Sequence, residues 1–194
     1  DKWKGPGELG PRENASVMLT QPIGARDTVA VWLNLSELDQ HLYRPLSYAQ
    51  VQDLDANRDL DYNGRLTGDR AADILYYDHN RGRYRNRDLL ARVPVTLGDR
   101  WRLTVTPYWS REDTGIRGGA PRGGGVIRVR SRDITRQGVT ARLDTDLGWA
   151  RATLGTWHEA LDMDIGIASV HPVTGALLGR SVGELTPDEI YGRF

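Results

Sequence analysis

Three short turns built on glycine limit what this chain can fold into: Pro22-Ile23-Gly24-Ala25-Arg26-Asp27, Leu97-Gly98-Asp99-Arg100 and Leu147-Gly148-Trp149. Each joins two long runs of alternating polarity, the pattern of a β-hairpin with a tight connection. Between these turns the chain makes longer excursions rich in polar residues, glycine and arginine. Short connections therefore collect at one end of a sheet and long ones at the other.

The clearest run is Thr28 to Leu38, where Val29, Val31, Leu33 and Leu35 fall on one face and Ala30, Trp32, Asn34 and Ser36 on the other. Trp101, Leu103, Val105, Pro107 and Trp109 repeat the pattern against Arg102, Thr104, Thr106, Tyr108 and Ser110. Leu89 to Leu97 and Val139 to Leu147 do the same, and the second faces carry Arg92, Arg142, Asp144 and Asp146. Asn14 to Gln21 and Arg151 to Glu159 complete six strands in three hairpins, although alternation leaves the facing of the last run open. The best of these runs reach about 9–11 residues, the length that a tilted membrane strand needs, whereas soluble strands centre on about 5–6. Arg142, Asp144 and Asp146 would be costly to bury in a small core but not in a wet lumen. The expected fold is all-β, an antiparallel up-and-down transmembrane β-barrel segment with long extracellular loops. A soluble β-sandwich also alternates and remains the competing architecture, as a secreted binding module that would recognise carbohydrate through Trp32, Tyr108 and Trp109, and a complete small barrel acting as a passive pore is a third. Pro94 and Pro107 argue against central positions in any sheet.

Composition narrows the function classes. The 26 basic and 26 acidic residues of the 194 give a formal net charge of zero, so no global field attracts nucleic acid. With 39% apolar residues and a mean hydropathy of −0.54, no segment approaches the ~18 apolar residues of a spanning helix, whereas a barrel strand needs only every second residue apolar. Cysteine is absent, which excludes disulfides and thiolate chemistry. Asp1 is not an initiator, and Phe194 follows a Pro187-Asp188-Glu189 turn rather than a closing strand; both ends read as cuts in a longer chain.

Two groups of residues could bind something. Asp59, Asp61, Asn63 and Gly64 match the opening of a calcium loop within the excursion Asp39 to Tyr84, but position twelve is Arg70 rather than glutamate. Arg81, Arg83, Arg85 and Arg87 alternate with Gly82, Tyr84 and Asn86, and Arg128, Arg130 and Arg132 form a second row. Guanidinium forks hold carboxylates and phosphates, so Tyr84 and these two rows are the candidate contacts for an anionic ligand or for lipopolysaccharide phosphates. Gly118, Gly119 and Gly123 to Gly125 lack a phosphate-loop pattern and read as a flexible loop. His41, His79, His158 and His171 have no zinc spacing, and Ser110 has no nucleophile elbow. Catalysis is not expected, and no cofactor is implied.

The opening DKWKGPGELGPRENASVMLTQPIG, the hairpin LARVPVTLGDRWRLTVTPYW and the stretch SRDITRQGVTARLDTDLGWARATLGTWHEALDMD together resemble the barrel of TonB-dependent outer-membrane receptors of the ferric-citrate and ferric-siderophore type. The likeness covers roughly residues 1–164 as strand-turn-strand phrases without one diagnostic motif. It implies residence in the bacterial outer membrane and energised uptake of a ferric chelate. It also implies a 22-stranded barrel around an N-terminal plug, contact with the TonB complex through that N-terminal region, and outer-membrane lipid and lipopolysaccharide as neighbours. Residues 1–194 would then be one part of the barrel domain. The stretches Asp39–Tyr84, Thr114–Val126 and Ile165 onward would be extracellular loops, with the three glycine turns facing the periplasm. No ligand residue transfers by motif.

Overall fold

The computed structural model describes residues 5–120 and 124–185; Gly123 and the Pro187-Asp188-Glu189 turn lie outside these. Strand makes up 64% and helix 9% of the structure, so the chain is all-β. One antiparallel sheet runs in chain order through β1 (Arg12–Ile23), β2 (Asp27–His41), β3 (Arg81–Leu97), β4 (Trp101–Ala120), β5 (Val126–Asp146), β6 (Arg151–Val170) and β7 (Leu177–Leu185). It is an up-and-down sheet that does not close into a barrel. Among the described residues there is no second sheet to make a sandwich, and no helix is long and apolar enough to cross a membrane.

All three glycine turns connect neighbouring strands at one end of the sheet, with φ of 64° at Gly24, 74° at Gly98 and 86° at Gly148. A residue without a Cβ adopts that left-handed conformation at no steric cost. The turn end is also cross-braced. Arg26 reaches the Gly98 carbonyl at 3.3 Å and Asp99 at 3.2 Å. Asp27 accepts from both the backbone N–H and the hydroxyl of Thr96, each at 2.8 Å, beyond the point where the β2–β3 pairing stops at Ala30 and Arg92.

At the opposite end the strands run further than their alternation foretells. Thr114–Val126, expected as a loop, is mostly strand: β4 continues to Ala120 and β5 starts at Val126. Gly118 and Gly119 accordingly lie in β4, while Gly124 and Gly125 make the turn with positive φ. The segment from Ile165 is likewise the end of β6 followed by β7, which adds a seventh strand to the six expected. Tyr84 and the four arginines before and after it belong to β3 rather than to the preceding loop.

The long connection is therefore residues 42–80, and it is folded. Three one-turn helices, α1 (Tyr48–Val51), α2 (Leu54–Asn57) and α3 (Arg70–Asp73), start at Ser47, Asp53 and Asp69, whose side chains cap them. A 3-10 turn follows at Tyr77–His79. Asp73 is buried to 1% exposure and accepts from the Thr67 N–H and hydroxyl and the Gly68 N–H. These donors hold its carboxyl below the usual range: the Thr67 backbone bond contributes most, against the opposing cost of burial. Asn80 fastens the connection to the sheet, donating to the Tyr76 carbonyl at 2.8 Å and accepting from the Gly119 N–H at 2.9 Å.

Candidate functional site

The register assigns every strand residue to a face. Residues paired across the sheet point the same way, and β1 to β5 pair odd with odd: Leu19 with Val31, Val31 with Ala91, Val93 with Val105, and Val105 with Ala141. Between β5 and β6 the parity changes, so Leu143 faces with Leu154 and Ala141 with Thr156. This settles the facing of β6 that alternation leaves open.

The first face carries an apolar band next to the turn end. It comprises Val17 and Leu19, Val29 to Leu35, Leu89 to Leu97, Trp101 to Trp109, Val139 to Leu143, and Ala152 and Leu154, taking alternate residues in each strand. Nine residues of β3 or β4 cover about 26 Å at about 3.3 Å per residue. Nothing described packs against the band. Leu19 is 68% exposed and Leu154 is 72% exposed, with Val17, Leu33, Leu35, Leu89, Val95 and Leu97 exposed between them. Trp101 and Trp109 stand at its two edges, and Trp149 projects from the third turn, 86% exposed.

The second face is mixed over the same length: Met18, Ala30, Trp32, Leu90 and Pro94 lie on it among polar groups, several of which bond one another. Ser16 bonds Asn34 at 2.6 Å, and Ser110 bonds Asp88 at 2.7 Å. Asp144 accepts from Thr153 and Arg142, both at 2.8 Å. The Tyr108 hydroxyl donates to Glu159 at 2.6 Å and accepts from the Trp157 indole at 2.8 Å. Its ring lies across Gly138, where a Cβ would fall 2.5 Å from the phenol carbon; glycine opposite an aromatic side chain recurs where a ring must lie flat on a strand.

The two arginine rows are extended, and they face opposite ways. Arg81, Arg83, Arg85 and Arg87 lie on the banded face, beyond the band, while Tyr84, Arg128, Arg130 and Arg132 lie on the polar face. Arg81 pairs with Asp39 at 2.9 Å and with Asp78 at 3.1 Å. Arg83 and Arg85 share Glu37 at 2.8 and 2.9 Å. Arg132 meets Glu112 at 2.6 Å, and Glu112 also accepts from the buried Thr114 hydroxyl. Arg87, Arg128 and Arg130 have no ion-pair or hydrogen-bond partner among the described residues. The eight candidate residues thus fall into two groups on opposite faces of the sheet.

Arg128 lines a pocket of about 620 Å³ where the 42–80 connection meets the ends of β4 and β5. Arg44, Leu46, Tyr62, Leu75 and Ala120 contribute to its mainly apolar wall. Arg44 is fixed by the Asp61 carbonyl at 2.9 Å. Burial pushes the Tyr62 phenol up against the opposing pull of Arg44. Such a pocket suits a compact anion with an apolar body, held by a guanidinium that has no internal partner. Neither Arg44 nor Tyr62 is marked by periodicity, because the connection is irregular.

The calcium-loop residues do not converge. Asp59 is exposed beside Arg58, the Asp61 carboxylate caps the Tyr62 N–H at 2.7 Å, and the Asn63 amide donates to the Ala72 carbonyl at 3.0 Å. Among the described residues no three His, Cys, Asp or Glu side chains group as a metal site. Trp32 and Tyr108 share the polar face, but Trp109 lies on the other, so the three do not form one stacking platform. No family model, curated protein or solved structure matches the chain.

Proposed function

We propose that this chain is part of the wall of an outer-membrane β-barrel of the TonB-dependent receptor type, which takes up a ferric chelate or similar anionic ligand and performs no catalysis. The observation that carries the reading is the uncovered apolar band: alternate residues of six adjacent strands, about 26 Å deep along the strand, edged by tryptophans and backed by a hydrogen-bonded polar face. A bilayer covers such a band, and the opposite face then lines a wet lumen. The tight turns fit the periplasmic rim and the folded 42–80 connection the extracellular side. Both outer strands of the open sheet have free edges among the described residues, which further strands would pair in a closed wall.

On this reading a chelate approaching through the lumen meets Tyr84, Arg128, Arg130 and Arg132, and the pocket beside Arg128 is its first concave stop. The banded-face row of Arg81, Arg83, Arg85 and Arg87 is out of its reach. The test uses the full-length protein. It should sediment with outer membranes and require detergent for release, and ferric citrate should quench its tryptophan fluorescence, with Arg128→Gln weakening the titration. A protein released without detergent would overturn the wall assignment. An inserted protein indifferent to every ferric chelate tried would overturn the ligand class alone.

A further inference from the structure

The carboxylates of the Asp59 to Gly64 motif do not converge, which leaves its last pair, Asn63-Gly64, without a role. An asparagine before glycine is chemically exposed to its own backbone: the next nitrogen can reach the side-chain amide, since glycine bends freely and has no side chain to shield it. Here the attacking atom is open. Gly64 is exposed, and its N–H has no hydrogen-bond partner among the described residues. The group under attack is restrained instead. The Asn63 N–H donates to the Leu75 carbonyl at 2.7 Å, its carbonyl accepts from the Tyr77 N–H at 3.0 Å, and its side-chain amide donates to the Ala72 carbonyl at 3.0 Å. These three bonds join Asn63 to the stretch from α3 to the 3-10 turn, and Tyr62 and Leu75 beside them line the pocket that Arg128 shares.

We propose that Asn63 is a deamidation site, restrained by these bonds in the folded chain, whose reaction keeps the 42–80 connection from reseating. The Gly64 nitrogen bonds to the Asn63 Cγ, the Cγ–Nδ2 bond breaks, and the nitrogen leaves as ammonia with the proton that Gly64 gives up. Water then opens the cyclic imide at either carbonyl, giving aspartate or isoaspartate with no oxidant or reductant. Each product undoes the restraint that delayed it. Aspartate turns the donor facing the Ala72 carbonyl into an acceptor, so two oxygens meet without a proton between them. Isoaspartate also lengthens the main chain by a methylene group, and the bonds to Leu75 and Tyr77 then cannot both re-form. The pocket wall at Tyr62 and Leu75 therefore loosens with the age of the molecule, whether or not the band meets lipid.

The experiment ages the full-length protein, folded and guanidinium-unfolded, in mildly alkaline buffer. Trypsin cuts after Arg58 and Arg65, and mass spectrometry with isoaspartate-resolving fragmentation follows peptide 59–65. The folded protein should accumulate aspartate and isoaspartate at position 63, more slowly than the unfolded chain. Gly64→Ala should lose most of this conversion. Its Cβ would meet only the Pro6 side chain, at 3.8 Å, and the Gly64 backbone is not left-handed, so the variant should keep the parent's resistance to proteolysis within residues 42–80. Asn63→Asp, which supplies one product without ageing, should be cleaved there sooner than the parent. A folded protein that stays unmodified while the unfolded chain converts would overturn the site, and equal rates in the two states would overturn the restraint. An Asn63→Asp protein digested like its parent would overturn the loosening.

Discussion

The turn-side and loop-side halves of β3 and β4 are made by one continuous pairing, yet they are stabilised by different means. On the turn side, Leu89 to Leu97 and Trp101 to Trp109 put most of their apolar side chains on one face, with only Leu90 and Pro94 joining the polar groups of the other. On the loop side both faces carry charge. Arg81, Arg83 and Arg85 pair with Asp39, Asp78 and Glu37, and Arg132 pairs with Glu112 on the reverse face. There the loop supplies the cover, as Asn80 and the backbone around Ile74 close onto Gly119. A membrane would stabilise the first half from outside; the second carries its own cover.

The largest effect expected is at the band. Val105→Arg puts a cation on the banded face among Val93, Ala141 and Leu103 and should cost about 2–4 kcal/mol of membrane assembly if that face meets lipid near the midplane. Thr104→Arg, one residue away on the polar face, should assemble almost normally. Equal yields of inserted protein from the two variants would erase the distinction between the faces.

Gly119→Ala should act at the other half. Its Cβ would sit 2.1 Å from the Ile74 carbonyl oxygen, so the connection must move away from β4, at about 1–3 kcal/mol for an overpacked contact. Protease cleavage within residues 42–80 should accelerate while the turn-side strands stay protected. An unchanged digestion pattern would show that the loop is not seated on Gly119.

Acid should open the same seam without touching the band. Asp73 and Asp78 both titrate below the usual carboxylate range. At Asp78 burial pulls upward, but the His41 hydrogen bond and the Arg117 and Arg81 guanidiniums outweigh it. A carboxylate depressed in the folded state stabilises fully above its unfolded pKa, about 3.9, and loses that contribution as pH falls through the lower folded value. Amide protection in the 42–80 connection, taken relative to the intrinsic exchange rate at each pH, should therefore be level from pH 7 to about 5 and fall below about 4, with Asp73→Asn flattening the fall. The smallest effect belongs to Arg83→Gln, whose exposed pair with Glu37 is shared with Arg85. A stability change beyond about 1 kcal/mol there would exceed what exposed ion pairs contribute.

The same division explains what the sequence makes legible. Strands next to the tight turns announce themselves, because one face is apolar and the other is not. Arg111 to Ala120 and Val126 to Arg136 form strand with scarcely any such contrast: Glu112, Thr114, Arg130 and Arg132 on one face oppose Arg111, Asp113, Ser131 and Asp133 on the other. A segment with no apolar side to hide reads as loop. The arginine rows are visible as rows, but their opposite facing follows from odd and even numbering only once the β3–β4 and β4–β5 registers are known. Arg44 and Tyr62 escape notice because nothing periodic places them.

The change of parity between β5 and β6 has a genetic corollary. A single-codon insertion or deletion in a tight turn that shifts the pairing by one residue would turn the next strand inside out, exchanging Leu154 and Thr156 for Thr153 and Gly155 on the banded side, and would carry β7 with it. The four residues between β5 and β6 are matched to a strand whose even positions face outward, whereas the three-residue links before β2 and β4 are matched to odd ones. Length variation in the 42–80 connection should therefore leave the facing of the strands unchanged, whereas at Gly24, Gly98 and Gly148 it should be close to forbidden except in steps of two.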